Sequence, residues 1–196
     1  DPRGLWPEEA VMMGLVAEGS DRAAALARRF YGAIDHADVS ISVGAAFGRA
    51  LLERAPGARL TEIRNAADIE RFEPMPPSAR RAERVRLGLP EGLLLVFLGS
   101  TARYQAVGRA FDLLAAFRDA GRPASLLFLS YQETEAAEEE ARLRGLAGAV
   151  VARRVTPDEV GRRLAAGDLG LVLRTPTIRA EVYVPAKLAE FLAAGL

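Results

Sequence analysis

Gly92-Leu93-Leu94-Leu95-Val96-Phe97-Leu98-Gly99-Ser100-Thr101 is a run of six apolar residues closed at each end by glycine. A run of that length suits a strand better than a helix, and an unbroken apolar strand is buried on both faces. Such strands belong to parallel sheets covered by helices on two sides. The flanking pattern agrees. Downstream, helices over 107–119, 133–144 and 157–166 alternate with apolar runs at 125–129, 149–152 and 169–173, and a further helix begins at about 185. Pro157 after Thr156 stands at a first helical position, where its missing N–H costs nothing. Upstream, a helix over about 79–87 is stopped by Gly88 and Pro90. From residue 93 the order is β-α-β-α-β-α-β-α, the pattern of a doubly wound α/β sheet.

A second, shorter α/β pattern precedes it. Residues 21–37 carry Leu26, Phe30 and Ile34 on one helical face and open at a Ser20 or Asp21 cap. A strand over 39–43, a helix over 45–54 and a strand over 59–63 follow. Pro74, Pro76 and Pro77 interrupt the stretch 65–77, which has no clear period and reads as a linker. The expected organisation is therefore 1–68 as the closing α-β-α-β part of one Rossmann-like domain, a linker at 69–77, and 78–196 as most of a second. Four strands in the second part, where such sheets usually have five or six, make both domains incomplete. The first residue is Asp, and the start reads as a cut.

Composition narrows the chemistry. Half of the 196 residues are hydrophobic, enough for a substantial core, and acidic and basic residues balance at 26 each, which gives no footprint for nucleic acid. Without cysteine there are no disulfides and no thiolate-bound metal, in keeping with a reducing, cytoplasmic setting. His36 is the only histidine, which excludes a histidine-cluster metal site; at a helix end beside Asp38, it reads as a surface or capping residue. No apolar run approaches the ~18 residues of a membrane span. Glu138-Glu139-Glu140 evokes a metal site, but Glu138–Arg142 and Glu140–Arg144 have the i,i+4 spacing of solvated helix pairs.

Three places point to a ligand. Gly99-Ser100-Thr101 closes the buried strand at its carboxyl end, the edge at which open α/β sheets bind ligands. It matches neither a dinucleotide fingerprint nor a Walker loop. Arg174 closes the strand at 169–173 on that edge, a place to face a phosphate. Asp168, before this strand, reads as a turn residue. Lys187, the chain's only lysine, and Glu190 lie in the first turns of the last helix. A helix start after a parallel strand favours anions through unpaired N–H groups and the helix dipole. Lys187 adds a mobile positive charge, and Glu190 can accept hydrogen bonds from sugar hydroxyls.

Six segments in order resemble the family 4 glycosyltransferases of the GT-B fold. Asp1-Pro2-Arg3-Gly4-Leu5-Trp6-Pro7-Glu8-Glu9 is similar to a D-x-R-G-x-x-x-x-E stretch of one branch. Ala37-Asp38-Val39-Ser40-Ile41-Ser42-Val43 is similar to a strand late in the first domain, and Asn65-Ala66-Ala67-Asp68-Ile69-Glu70-Arg71-Phe72-Glu73-Pro74 to the interdomain N-G-v-D-x-x-x-F-x-P. Leu98-Gly99-Ser100 resembles the v-G-S strand end, and Gly167-Asp168-Leu169-Gly170-Leu171 the a-D-v-g-l strand. Pro185-Ala186-Lys187-Leu188-Ala189-Glu190-Phe191-Leu192-Ala193-Ala194-Gly195 resembles the P-x-K-x-x-E-y-l-A-x-G helix that contacts the donor.

The resemblance implies two Rossmann-like domains facing a cleft. It implies transfer of a sugar from a nucleotide-diphosphate sugar to a glycan, lipid or small-molecule acceptor, with retention and without an obligatory metal or other cofactor. Glycan or cell-envelope polysaccharide synthesis is the implied setting. Glu190 would hold the donor ribose, Lys187 and the backbone around it would face the diphosphate or sugar, and Gly99 and Ser100 would border the diphosphate. The acceptor side and any catalytic base would precede Asp1, so the chain alone is expected to be inactive, and a membrane-binding surface would precede it too. Two departures stand out. Val182 occupies the place eight before Glu190 where many members carry a first glutamate, with Glu181 beside it. The diphosphate-gripping cations have only Arg103 and Arg109 as nearby candidates. A nucleotide-sugar 2-epimerase and a non-catalytic nucleotide-binding module of the same fold are the alternatives.

Overall fold

A computed structural model describes residues 1–2, 4–132, 134–175 and 182–196, with Arg103 by its backbone alone. The chain forms two compact units, Asp1–Asn65 with Thr177–Val184, and Ala66–Pro176 with Pro185–Leu196.

In the first unit, α1 (Trp6–Met12) and α2 (Asp21–Asp35) precede β1 (Ser40–Ser42), α3 (Ala45–Leu52) and β2 (Leu60–Glu62). Ser20 caps α2 by accepting the Ala23 N–H at 3.2 Å, and the two strands pair in parallel with Ser40 beside Leu60. Tyr31, Ile34, Phe47 and Leu51 bury their side chains with Leu5 and Val182. Tyr31 remains satisfied because its hydroxyl donates to Glu8 at 2.7 Å. Exposed His36 closes α2, its ring Nδ1 2.8 Å from the Gly32 carbonyl oxygen. The sequence pattern had no helix at 6–12. With only seven residues and no side-chain cap, α1 is too short to show a period.

The second unit runs α4 (Pro77–Arg86), β3 (Leu93–Leu98), α5 (Gly108–Asp119), β4 (Ala124–Ser130), α6 (Glu135–Leu143), β5 (Val150–Arg154), α7 (Pro157–Leu164), β6 (Leu169–Leu171) and α8 (Ala186–Ala193). Its sheet has the order β5-β4-β3-β6, and every pairing is parallel. Alternation along β3 sends Leu94, Val96 and Leu98 into one apolar layer with Phe72, Val160, Leu164 and Phe191. Leu95 and Phe97 enter the opposite layer with Phe111, Leu114, Ala137 and Ala141. Phe97 stacks on Phe128 of β4 with ring centroids 5.4 Å apart. Each such fully buried side chain contributes roughly 1.5–3 kcal/mol.

Charged struts tie α4 to this body. Asp168 accepts the Leu94 N–H at 2.8 Å and lies 2.7 Å from the Arg84 guanidinium. It is thus a strut between α4 and the sheet rather than a simple turn residue. Glu83, with no exposed side-chain surface, is held by Arg86 at 2.6 Å, by Arg162 at 2.9 Å and by Arg163. On α6, Arg142 pairs with Glu139 rather than Glu138, while Arg144 reaches both Glu140 and Asp112.

Two local expectations change. The stretch 65–77 holds a turn in which the Asp68 carbonyl accepts from the Arg71 and Phe72 N–H groups, at 3.1 and 2.9 Å, and Phe72 enters the core. The last strand stops at Leu171 instead of 173, after which the Thr175 N–H donates to the Tyr104 carbonyl at 3.0 Å.

Candidate functional site

In the order β5-β4-β3-β6, α5, which follows β3, packs in one core layer and α8, which follows β6, in the other, so the sheet reverses its winding between β3 and β6. Outside the carboxyl ends of two such strands a crevice opens, because the following segments diverge. Gly99 and Ser100 follow β3 at that edge. Phe191 and Ala194 anchor α8 in the core, which turns Lys187 and Glu190, three apart on one helical face, towards the sheet.

Lys187 Nζ donates to the Leu98 carbonyl at 2.5 Å and to Gln105 Oε1 at 2.9 Å. It also sits 5.2 Å from the centre of the Phe97 ring. The Gln105 Nε2 group donates to Ser100 Oγ at 3.2 Å, and the Ala102 N–H donates to the same oxygen at 3.3 Å. With both lone pairs engaged, the Ser100 hydroxyl keeps its own O–H as a donor. Gly99 gives its N–H to Leu129, so its part is spatial. A Cβ there would overlap Gln105 Oε1 and come within 3.1 Å of Lys187 Nζ. Gln105 reaches this place through a turn at Arg103–Gln105 that ends in Ala106 with φ of 47°, a left-handed conformation costly to a residue with a side chain.

Electrostatics join the remaining residues. Burial first, and then the positive charge of Arg174, lower the Lys187 pKa to about 8, with Glu190 opposing both. The Arg174 guanidinium lies 5.6 Å from the Tyr104 ring centre. Burial raises the Glu190 pKa against the cations Arg71 and Lys187. Burial and Glu190 raise that of Tyr131, with Arg71 opposing. Glu190 thus interacts electrostatically with both Arg71 and Lys187, and Lys187 with Arg174, at the carboxyl edge of the second unit.

The structure thus brings Gly99, Ser100 and Lys187 into one hydrogen-bonded cluster, with Glu190 and Arg174 within electrostatic range. Arg103 lies in the turn, and its side chain is outside the described residues. Arg109 is exposed in the first turn of α5. Val182 is a buried core residue of the first unit, and Glu181 lies outside the described residues. The sequence pattern missed Gln105, Tyr131 and Arg71. Tyr131 directly follows an apolar strand, the same signal that exposed Gly99, whereas Arg71 was hidden by the linker reading.

This architecture is shared with solved structures. WaaG, a glycosyltransferase involved in lipopolysaccharide biosynthesis, aligns at 19% identity and TM-score 0.71 over 90% of this chain and 48% of its own. HepE from Anabaena in complex with UDP-glucose aligns at 18% identity and TM-score 0.70 over 92% of this chain and 49% of its own. A glycosyltransferase from Rickettsia africae ESF-5 aligns at 13% identity and TM-score 0.55 over 72% and 40%. The chain therefore spans about half the length of the first of these, and its fold is that of a partial GT-B glycosyltransferase. No family model and no curated protein sequence matches the chain.

Proposed function

We propose that the chain carries the donor site of a family 4-type glycosyltransferase, taking a sugar from a nucleotide-diphosphate sugar to a glycan, lipid or small-molecule acceptor in glycan or cell-envelope polysaccharide synthesis. The supporting observation is the meeting of Ser100 Oγ, Lys187 Nζ and the start of α8 beside a carboxylate at the sheet's winding reversal. Lys187 and Arg174 repel each other. A diphosphate between them would replace that repulsion with two attractions. Glu190 accepts the ribose hydroxyls, and Gly99 leaves room for the phosphates. As the sugar departs, negative charge grows on the leaving diphosphate. Cations and helix N–H groups that bind this charge more strongly in the transition state than in the ground state accelerate transfer. Retention at the anomeric carbon, independence of metal or cofactor and a cytoplasmic location belong to the same proposal.

The test is titration of the full-length protein with UDP, GDP and ADP, with release of nucleoside diphosphate from the matching sugar nucleotides as a second readout. Micromolar binding, weakened at least about tenfold in Glu190→Ala, is expected, together with release. Absence of binding to folded protein would remove the donor site. Burial of Val182, in place of a carboxylate eight residues before Glu190, favours a second reading as a non-catalytic nucleotide-binding module. Binding without release from any sugar nucleotide would select it.

A further inference from the structure

In the order β5-β4-β3-β6, Tyr131 follows β4 and Arg71 adjoins Phe72, which packs at the ends of β4 and β5, whereas Lys187 reaches the end of β3 and Arg174 follows β6. Tyr131 is the first residue after β4 and is 47% exposed. Arg71 is held above the same edge by its neighbours. Phe72 is inserted among Leu129 of β4 and Val155, which follows β5. The Arg71 carbonyl oxygen rests on Gly161 of α7, where a Cβ would overlap it. The guanidinium Nη2 lies 3.7 Å from the fully exposed Asp158 carboxylate, a contact that solvent weakens. Its Nε is buried and makes no hydrogen bond among the described residues. Arg71 is near enough to act on both Glu190 and Tyr131.

A nucleoside diphosphate is an ordered ligand, with phosphates at one end, ribose in the middle and base at the other. With the diphosphate at Ser100 and Lys187 and the ribose at Glu190, the base falls on the Arg71 side. We propose that Arg71 and Tyr131 form the base end of the site and select a base rich in carbonyl acceptors, uracil or guanine, over adenine. This rests on the donor-site reading above. A guanidinium has five donors and no acceptor. It matches the oxygens of uracil or the O6 and N7 atoms of guanine, whereas the adenine amino group sets donor against donor. Tyr131 offers a ring face, and every base can stack on an aromatic ring, so it supplies affinity without choosing. Choice therefore lies with Arg71.

The test is calorimetric titration of the full-length protein with UDP, GDP and ADP, in wild type, Arg71→Met and Arg71→Lys, with folding checked by circular dichroism. UDP or GDP is expected to bind about ten- to a hundredfold more tightly than ADP, the range of a good bidentate contact. Arg71→Met brings the preferred diphosphate to within about threefold of ADP and leaves ADP itself nearly unchanged. Arg71→Lys keeps the charge but lacks the planar fork, so it loses most of the same discrimination. ADP binding as tightly as UDP and GDP to wild type overturns the inference and leaves the donor site standing. So does discrimination that survives in folded Arg71→Met or Arg71→Lys. Failure of all three ligands to bind folded wild type overturns the inference together with the donor site.

Discussion

Replacing Lys187 with methionine separates what the lysine costs the fold from what it gives a ligand. Its pKa falls from 10.5 to about 8 because burial and the neighbouring Arg174 disfavour the ammonium, with Glu190 only partly compensating. A fall of about 2.5 in pKa, at about 1.36 kcal/mol each, corresponds to at most about 3.4 kcal/mol. The direction follows from proton counting. Between pH 8 and 10.5 the unfolded chain holds the Lys187 proton and the folded chain has released it, so wild-type stability rises with pH across that window. Below pH 8 both states are protonated and the full cost is present. Methionine fills a similar volume and does not titrate. It also leaves the Leu98 carbonyl without the ammonium it now accepts from at 2.5 Å, a loss of about 1–3 kcal/mol that offsets the gain at pH 7. The informative quantity is therefore the pH dependence of the difference. Denaturant unfolding of wild type and Lys187→Met at pH 7, 8, 9 and 10 should show wild type gaining up to about 3 kcal/mol on the variant as pH rises. Parallel curves, differing by a constant, would refute the buried-ammonium reasoning. The same variant should lose affinity for UDP at least about tenfold at pH 7, since the anion is what makes the charge favourable there.

Three other perturbations have definite outcomes. Burial alone would raise the Glu83 pKa, yet hydrogen bonds from Arg86 and Arg163 and the charges of Arg163 and Arg162 bring it below its ordinary 4.5. Glu83→Ala should therefore cost about 3 kcal/mol in urea unfolding by stranding buried Arg163. The wild type should lose stability as pH falls below about 4.5, where the unfolded carboxylate takes up protons first, and Glu83→Gln should flatten that acid limb. Ala106→Gly should raise stability by about 0.5–1 kcal/mol and Ala106→Val lower it by at least about 1 kcal/mol, because φ at this position is 47°. Gly99→Ala should leave the melting temperature within about 3 °C, since the overlapping atom is the flexible end of Gln105. It should nevertheless weaken UDP binding about tenfold by narrowing the space beside Lys187, as read by calorimetry.

Most of the sheet was legible because burial on two faces leaves little freedom in residue choice. Residues 94 to 98 are apolar because both layers of the core close over them, and β4 nearly repeats the condition, every residue of Ala124–Ser130 being buried and only Ser125 and Ser130 polar. What escaped are features that depend on partners distant in sequence. A helix over about 79–87 was readable, but its start at Pro77 was not, nor what holds it in place, Glu83 bonded to Arg162 and Arg163 and Arg84 bonded to Asp168. Neither partner is visible in the local pattern of 77–86. Likewise Phe72 makes the stretch after Asn65 part of the core although its prolines read as a linker.

The same distinction governs the site. Gly99, Ser100, Lys187 and Glu190 could be placed because a strand end and a helix start are local events with known chemistry. Gln105 could not. Its meaning depends on a turn that brings its side chain beside Gly99, 82 positions before the lysine it binds. That arrangement also has a consequence for the ligand. Gln105 Oε1 sits beside Lys187 Nζ, where the proposed donor site puts a phosphate oxygen, and its Nε2 occupies one lone pair of Ser100. A diphosphate entering the cluster must displace one amide oxygen, a neutral acceptor, with an anionic one, an exchange that strengthens the bond to the ammonium. Gln105→Ala removes the competitor and one hydrogen bond that holds Ser100, so the sign of its effect distinguishes two roles. Tighter UDP binding, by about threefold or more, would mean that the glutamine chiefly fills the empty site, whereas weaker binding would mean that it chiefly holds Lys187 and Ser100 in place. The first outcome is expected, because an anionic phosphate oxygen makes a stronger bond to the ammonium than the amide oxygen that now accepts from it.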